Sequence, residues 1–238
     1  SAYDSVSRIM PSEMPNTPYW EKYKDKKEGI VLLRDNTPQP MIHFLPSYMR
    51  KHGITNTDLQ KLTNGQCNNV SDSYVNGMKV IERDITCKNG YIHKVDGVMM
   101  SADNMANIIN NHPLMSTYAS LLNRFSAPYY DATATATYNR LYNNTDSVYV
   151  LRYFAETSAV GSLSTDPDGQ TVDAQLMYDP GWNEYIYSNT AGYDLHYDAG
   201  AMLVPTNKAL DNWWNGAGKV IQDMYGTWDN VPMKVLVK

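Results

Sequence analysis

The apolar positions of this chain come in short runs separated by turn residues, and their period changes along its length. Residues 1–30 are polar and punctuated by Pro11, Pro15 and Pro18, which predicts a weakly structured lead-in. Ile30-Val31-Leu32-Leu33 is an apolar run suited to a strand or the edge of a helix. Asp35-Asn36-Thr37-Pro38 is turn chemistry that also suits a helix start. From Met41 to Tyr48 apolar residues recur at helix-like intervals, with Pro46 interrupting them. Thr55 or Thr57 is placed to cap a short helix over 58–62, which Asn64-Gly65 ends.

Residues 74–99 are the clearest β segment. Asn76-Gly77 lies between Tyr74-Val75 and Met78-Lys79-Val80-Ile81. Asn-Gly between strand formers signals a tight hairpin, because both central residues of a type I′ turn need positive φ. Asn89-Gly90 repeats the signal ahead of Tyr91–Val95, so an antiparallel sheet is expected. A helix capped by Asp103 then places Met105, Ile108 and Ile109 on one face. After Pro113, the spacing of Leu114, Tyr118, Leu121, Leu122 and Phe125 predicts a second, amphipathic helix whose stripe is core. Residues 126–147 read as irregular, and 148–154 as a strand. A polar stretch follows at 155–199, with turn clusters at Asp166-Pro167-Asp168-Gly169 and Asp179-Pro180-Gly181. Ala201–Val204 reads as a strand, Thr206 as the cap of a helix over 208–214, and Asn230 as the cap of a last helix from Pro232.

Composition narrows the classes. Hydrophobic residues are 42% and charged residues 19%, ordinary for a globular chain and unlike disorder or coiled coil. The net charge of −5 and the lack of a long Lys/Arg block argue against a nucleic-acid partner. No apolar run approaches the ~20 residues that cross a bilayer. The chain opens on Ser1-Ala2-Tyr3-Asp4 and closes inside a predicted helix, so a trimmed or partial chain is expected. Cys67 and Cys87 form no CxxC pair and have no His at ligand spacing, so no metal centre is expected; a disulfide and two free thiols both stay open. Tyr (19) and Trp (5) far outnumber Phe (3). Such rings suit surfaces that meet a partner, or Tyr simply replaces Phe in amphipathic strands.

Two segments carry a family resemblance. Val75–Ile85 followed by Asn89–Met99 resembles the closing box of the fasciclin (FAS1) domain, a "VNGAKV…DI…NGxIHVIDxVL" pattern. Ala201–Leu210 resembles the family's first box, "TVFAPTNxAF", with Leu203 and Leu210 where Phe is usual. The boxes stand in reversed order. The resemblance therefore implies an α+β fold of two fasciclin-like modules, each a small β wedge with packed helices and each incomplete. The first, over 1–100, is the C-terminal part of its domain. The second, over 101–238, is an N-terminal part with a long insertion at about 155–199. In the insertion at 155–199, in Arg124–Tyr130 and in Asp179–Trp182 the chain is similar to the tandem fasciclin-like surface lipoproteins of gut-type bacteria. That likeness implies a lipid-anchored protein at the bacterial cell surface or outer membrane, with the periplasm second. It implies non-enzymatic adhesion or protein contact, with other surface proteins or a nutrient-uptake transporter complex as partners, and no cofactor.

Candidate chemistry is sparse. His93 and Asp96 lie three residues apart and invite a catalytic reading, but no Ser sits in a G-x-S-x-G elbow to serve as nucleophile. The resemblance implies a structural His instead. Thr206 and Asn207 open a helix and read as caps. Asp166, Asp168 and Asp173 lack the terminal Glu of a calcium loop. Trp182, Tyr185, Tyr187, Tyr193 and Tyr197 cluster in the insertion, with Trp213, Trp214 and Trp228 downstream. Such rings bury area at low entropy cost, so the cluster is the candidate contact for a partner or, alternatively, a glycan.

Overall fold

In the computed structural model, residues 6–34, 41–99, 103–157, 161–181 and 201–238 are described. The elements run β1 (Val6–Ile9), α1 (Pro18–Lys24), β2 (Ile30–Leu33), β3 (His43–Phe44), α2 (Pro46–Lys51), α3 (Asn56–Leu62), β4 (Tyr74–Val75), β5 (Met78–Cys87) and β6 (Gly90–Val95). They continue with α4 (Met105–Asn111), α5 (Ser116–Asn123), β7 (Ser126–Tyr130), α6 (Ala132–Tyr142), β8 (Val148–Tyr153), β9 (Ala155–Thr157), β10 (Leu176–Tyr178), α7 (Asn207–Asn215), α8 (Lys219–Tyr225) and α9 (Met233–Leu236). The fold is α+β. Two compact units emerge: a discontinuous one, Ser1–Pro38 with Asp103–Lys238, and a continuous one, Gln39–Ala102.

The discontinuous unit is organised by a sheet of order β1-β2-β8-β7. Its central strands explain the unbroken apolar run at 30–33. Ile30 and Leu32 join a buried cluster with Trp20, Tyr23, Ile109 and Leu122, whereas Val31 and Leu33 face a second cluster with Ala134, Val148 and Val150. A strand covered on both faces needs no polar alternation. β2 pairs in parallel with β8, Val31 opposite Val148, and antiparallel with β1. β7 is an edge strand, the place where a strand tolerates Pro128. The expected division near residue 100 counted residues 1–38 with the first module; here β1 and β2 pair into the sheet of β7 and β8, so those residues group with 103–238.

The continuous unit has a sheet of order β3-β4-β5-β6 over a small core of Met49, Leu59, Cys67 and Tyr74. Thr55 caps α3 in a reciprocal box with Asp58: Thr55 Oγ1 accepts from the Asp58 N–H at 3.2 Å, and Asp58 accepts from the Thr55 N–H at 2.9 Å. Asn76 (φ 45°) and Gly77 (φ 80°) make the predicted turn, with Val75 opposite Met78. A Cβ on Gly77 would stand 2.5 Å from Gln66 Oε1. Gly77→Ala is therefore expected to cost about 1–2 kcal/mol, read as lost amide-exchange protection in β4 and β5. Protection equal to the parent protein's would show that the turn tolerates a side chain.

Several expectations shift. Of the lead-in expected at 1–30, the described residues 6–30 are structured: Pro18 starts α1, and α1 buries Trp20 and Tyr23. Over 41–48 the structure has β3 and the start of α2, and Pro46 opens the helix that it was expected to interrupt. The second hairpin turns at Lys88–Asn89, and Gly90 already pairs with Cys87. Asn104, not Asp103, caps α4, and Ile108 is exposed. Leu122 and Phe125 of the predicted stripe are buried, but Leu114 is exposed in a 3-10 turn. Residues 126–142 are not irregular: Asp131 caps α6 through the Ala134 N–H at 2.7 Å. Ala201–Val204 pairs with no described strand, and Leu203 is 94% exposed. The last helix starts at Met233 with Pro232 as its cap residue, while Asn230 ends a 3-10 turn. α8 had no counterpart in the sequence expectations.

Candidate functional site

The β5–β6 ribbon carries exposed apolar side chains on a β scaffold. Ile85 stands opposite Ile92, and both are exposed, as are Ile81, Tyr91, Val98 and Met99. Asp84, at φ 61°, marks a break in the ladder between Glu82 and Ile85. His93 Nδ1 accepts from the Asp84 N–H at 3.2 Å across this break. Asp96 Oδ1 instead accepts from the Lys79 N–H at 2.9 Å. The structure thus gives His93 and Asp96 separate backbone partners and does not join them as a pair.

Thr206 Oγ1 accepts from the Ala209 N–H at 3.3 Å and caps α7. Asn207 bridges outward: its Oδ1 accepts from the Thr117 N–H at 2.9 Å, and its Nδ2 donates to Pro113 O and Ser116 Oγ. Trp182, Tyr185, Tyr187, Tyr193 and Tyr197 lie outside the described residues. Trp214 is buried and stacks on Trp228 at 4.1 Å, and the half-exposed Trp213 stacks on Trp228 at 5.9 Å.

The discontinuous unit also holds a polar trough that the sequence did not announce. Its three depressions have volumes of about 410, 240 and 410 Å³. Asn123, Glu13 and Pro15 are common to the first and second, and Ser120 and Asp229 to the second and third. At the first, Asn107, Asn110 and Asn111 project from α4 beside Asn123 of α5. Asn123 Nδ2 donates to Asn110 Oδ1 at 2.6 Å, and Tyr153 OH donates to Asn123 Oδ1 at 2.9 Å. Burial pushes the Tyr153 phenol far above its ordinary range, so it keeps the proton that orients Asn123. Arg124 donates to Trp228 O at 3.0 Å; burial weakens its hold on its proton and the nearby Asp229 carboxylate strengthens it.

Other candidates resolve into turns and free thiols. Asp166 Oδ1 accepts from the N–H groups of Asp168 and Gln170, and Asp168 pairs with Lys22 at 2.5 Å. Among the described residues no group of three His, Cys, Asp or Glu is placed to hold a metal ion. Cys67 and Cys87 are unbonded; Cys67 is buried, and that burial pushes its thiol pKa up.

Residues 39–101 match the family model described as the Fasciclin domain. The matched residues coincide with the continuous unit and include the exposed ribbon. Fasciclin domains are generally linked to adhesion and protein interaction and are typically non-enzymatic. No curated protein and no solved structure matches the chain.

Proposed function

We propose that this chain is a non-enzymatic contact protein of a bacterial cell surface, engaging a partner through the β5–β6 ribbon. The observation that carries the reading is the exposure of Ile81, Ile85 and Ile92 on the ribbon, and of Val98 just beyond β6, within the segment matching the Fasciclin domain. Water-facing apolar side chains on a regular scaffold mark interaction surfaces. The paired Ile85 and Ile92 offer a partner apolar area worth about 25 cal/mol per Å² removed from water. The lipoprotein and uptake-complex reading, with an outer-membrane location, is supported by the likeness of Arg124–Tyr130, Asp179–Trp182 and the long stretch at 155–199 to gut-type surface lipoproteins. The reading of 101–238 as the start of a second fasciclin-like module is supported by Ala201–Leu210.

The test is retention of an envelope partner by the immobilised chain, with Ile85→Asp/Ile92→Asp as comparison. We expect a partner at fixed stoichiometry that this variant loses. No partner at fixed stoichiometry, or one held equally by the variant, overturns the reading. The glycan alternative, at Trp182, Tyr185, Tyr187, Tyr193 and Tyr197, is supported by the density of rings in that stretch. Affinity electrophoresis tests it: retardation by a soluble glycan, lost in Trp182→Ala, is its expected result.

A further inference from the structure

We infer that the trough of the discontinuous unit is a binding site for a neutral oligosaccharide. This shares the ligand class of the glycan alternative but none of its residues. Three observations carry it. The first is shape: the depressions are joined by shared walls, which suits an extended chain better than a single compact molecule.

The second is the chemistry of the floor. The Asn110–Asn123 pair is held by Tyr153 and by the bond from Asn110 Nδ2 to Ala106 O. Asn123 keeps one N–H and Asn110 Oδ1 one lone pair, a donor and an acceptor side by side. The side-chain amides of Asn107 and Asn111 line the same depression and have no hydrogen-bond partner among the described residues. Amides that both donate and accept match vicinal hydroxyls, which do the same. The third is charge and surface. Glu13 and Asp229 are balanced by Arg34 and Arg124, so the walls favour no ionic ligand. Trp228, held by its stacks on Trp214 and Trp213, walls the far end. An extended peptide would instead call for side-chain pockets at alternate positions.

The experiment is calorimetric titration of the intact chain with four neutral hexasaccharides: maltohexaose, cellohexaose, mannohexaose and xylohexaose. We expect at least one to bind saturably. Asn107→Ala/Asn111→Ala should weaken it about ten-fold, the loss of two modest hydrogen bonds, with the thermal transition unchanged. Trp182→Ala should leave the affinity as it was. Binding by none of the four overturns the inference. So does equal binding by the asparagine variant, or displacement of the sugar by an unstructured peptide mixture. Loss in Trp182→Ala with retention in the asparagine variant also overturns it, while supporting the aromatic cluster at 182–197.

Discussion

Trp20→Ala is expected to unfold the discontinuous unit or bring it close to unfolding. Trp20 is 1% exposed and joins the largest buried cluster, with Leu32, Leu122 and Tyr153 among its members. Removing such a ring costs about 3–5 kcal/mol in lost transfer energy and cavity. Its indole N–H also donates to Ser126 O at 2.7 Å, in a buried bond. Leaving that carbonyl without its partner adds about 1–3 kcal/mol. The sum approaches the whole stability of an ordinary domain, about 5–15 kcal/mol. The measurement is direct, because no Trp occurs between residues 39 and 102. Emission from the remaining Trp residues therefore follows this unit alone through a urea titration. A midpoint equal to the parent protein's would refute the account of the core.

The second large effect is expected in the continuous unit. Leu59 is fully buried, and its cluster contains only Met49, Cys67 and Tyr74 as further buried members. Leu59→Ala should cost about 2–5 kcal/mol. A core this small supplies only about 3–5 kcal/mol, so the variant should open frequently. Cys67 reports the opening. In the parent protein its thiol is shielded, and burial favours the unreactive protonated form, whereas Cys87 is half-exposed. One fast and one slow alkylation are expected in the parent, and two fast ones in Leu59→Ala. Slow Cys67 labelling in the variant would show that this core does not hold the unit together.

The difference between what was legible in the residues and what was not follows the range of the forces. The Asn76-Gly77 turn and the Thr55 and Thr206 caps were readable because each is decided within about four residues. The order of α1 is not legible locally because the helix is secured by contacts with distant residues, such as Tyr23 OH donating to Pro128 O. In Ala201–Val204 the apolar pattern was present but no described strand pairs with it. Asp131 three residues before Ala134, with Asn143 in the left-handed region at the far end, is a local start and stop signal for α6. The Fasciclin-like ribbon was legible as a motif. The trough was not, since its walls come from the chain near residue 13, α4, α5 and the turn at Trp228, and only folding brings them together.

The pairing of Val31 with Val148 has a consequence for synthesis. β2 leaves the ribosome with β1 already made to pair one edge, but its other edge must wait for β8, made after the whole of 39–102. That intervening unit, built on hairpins between near neighbours, has its own contacts complete and is free to fold during the wait. The emerging chain therefore passes through an interval with one finished unit and a β1–β2 pair whose open edge is aggregation-prone. A nascent-chain pause placed between residues 102 and 148 is where a chaperone should be recruited most strongly.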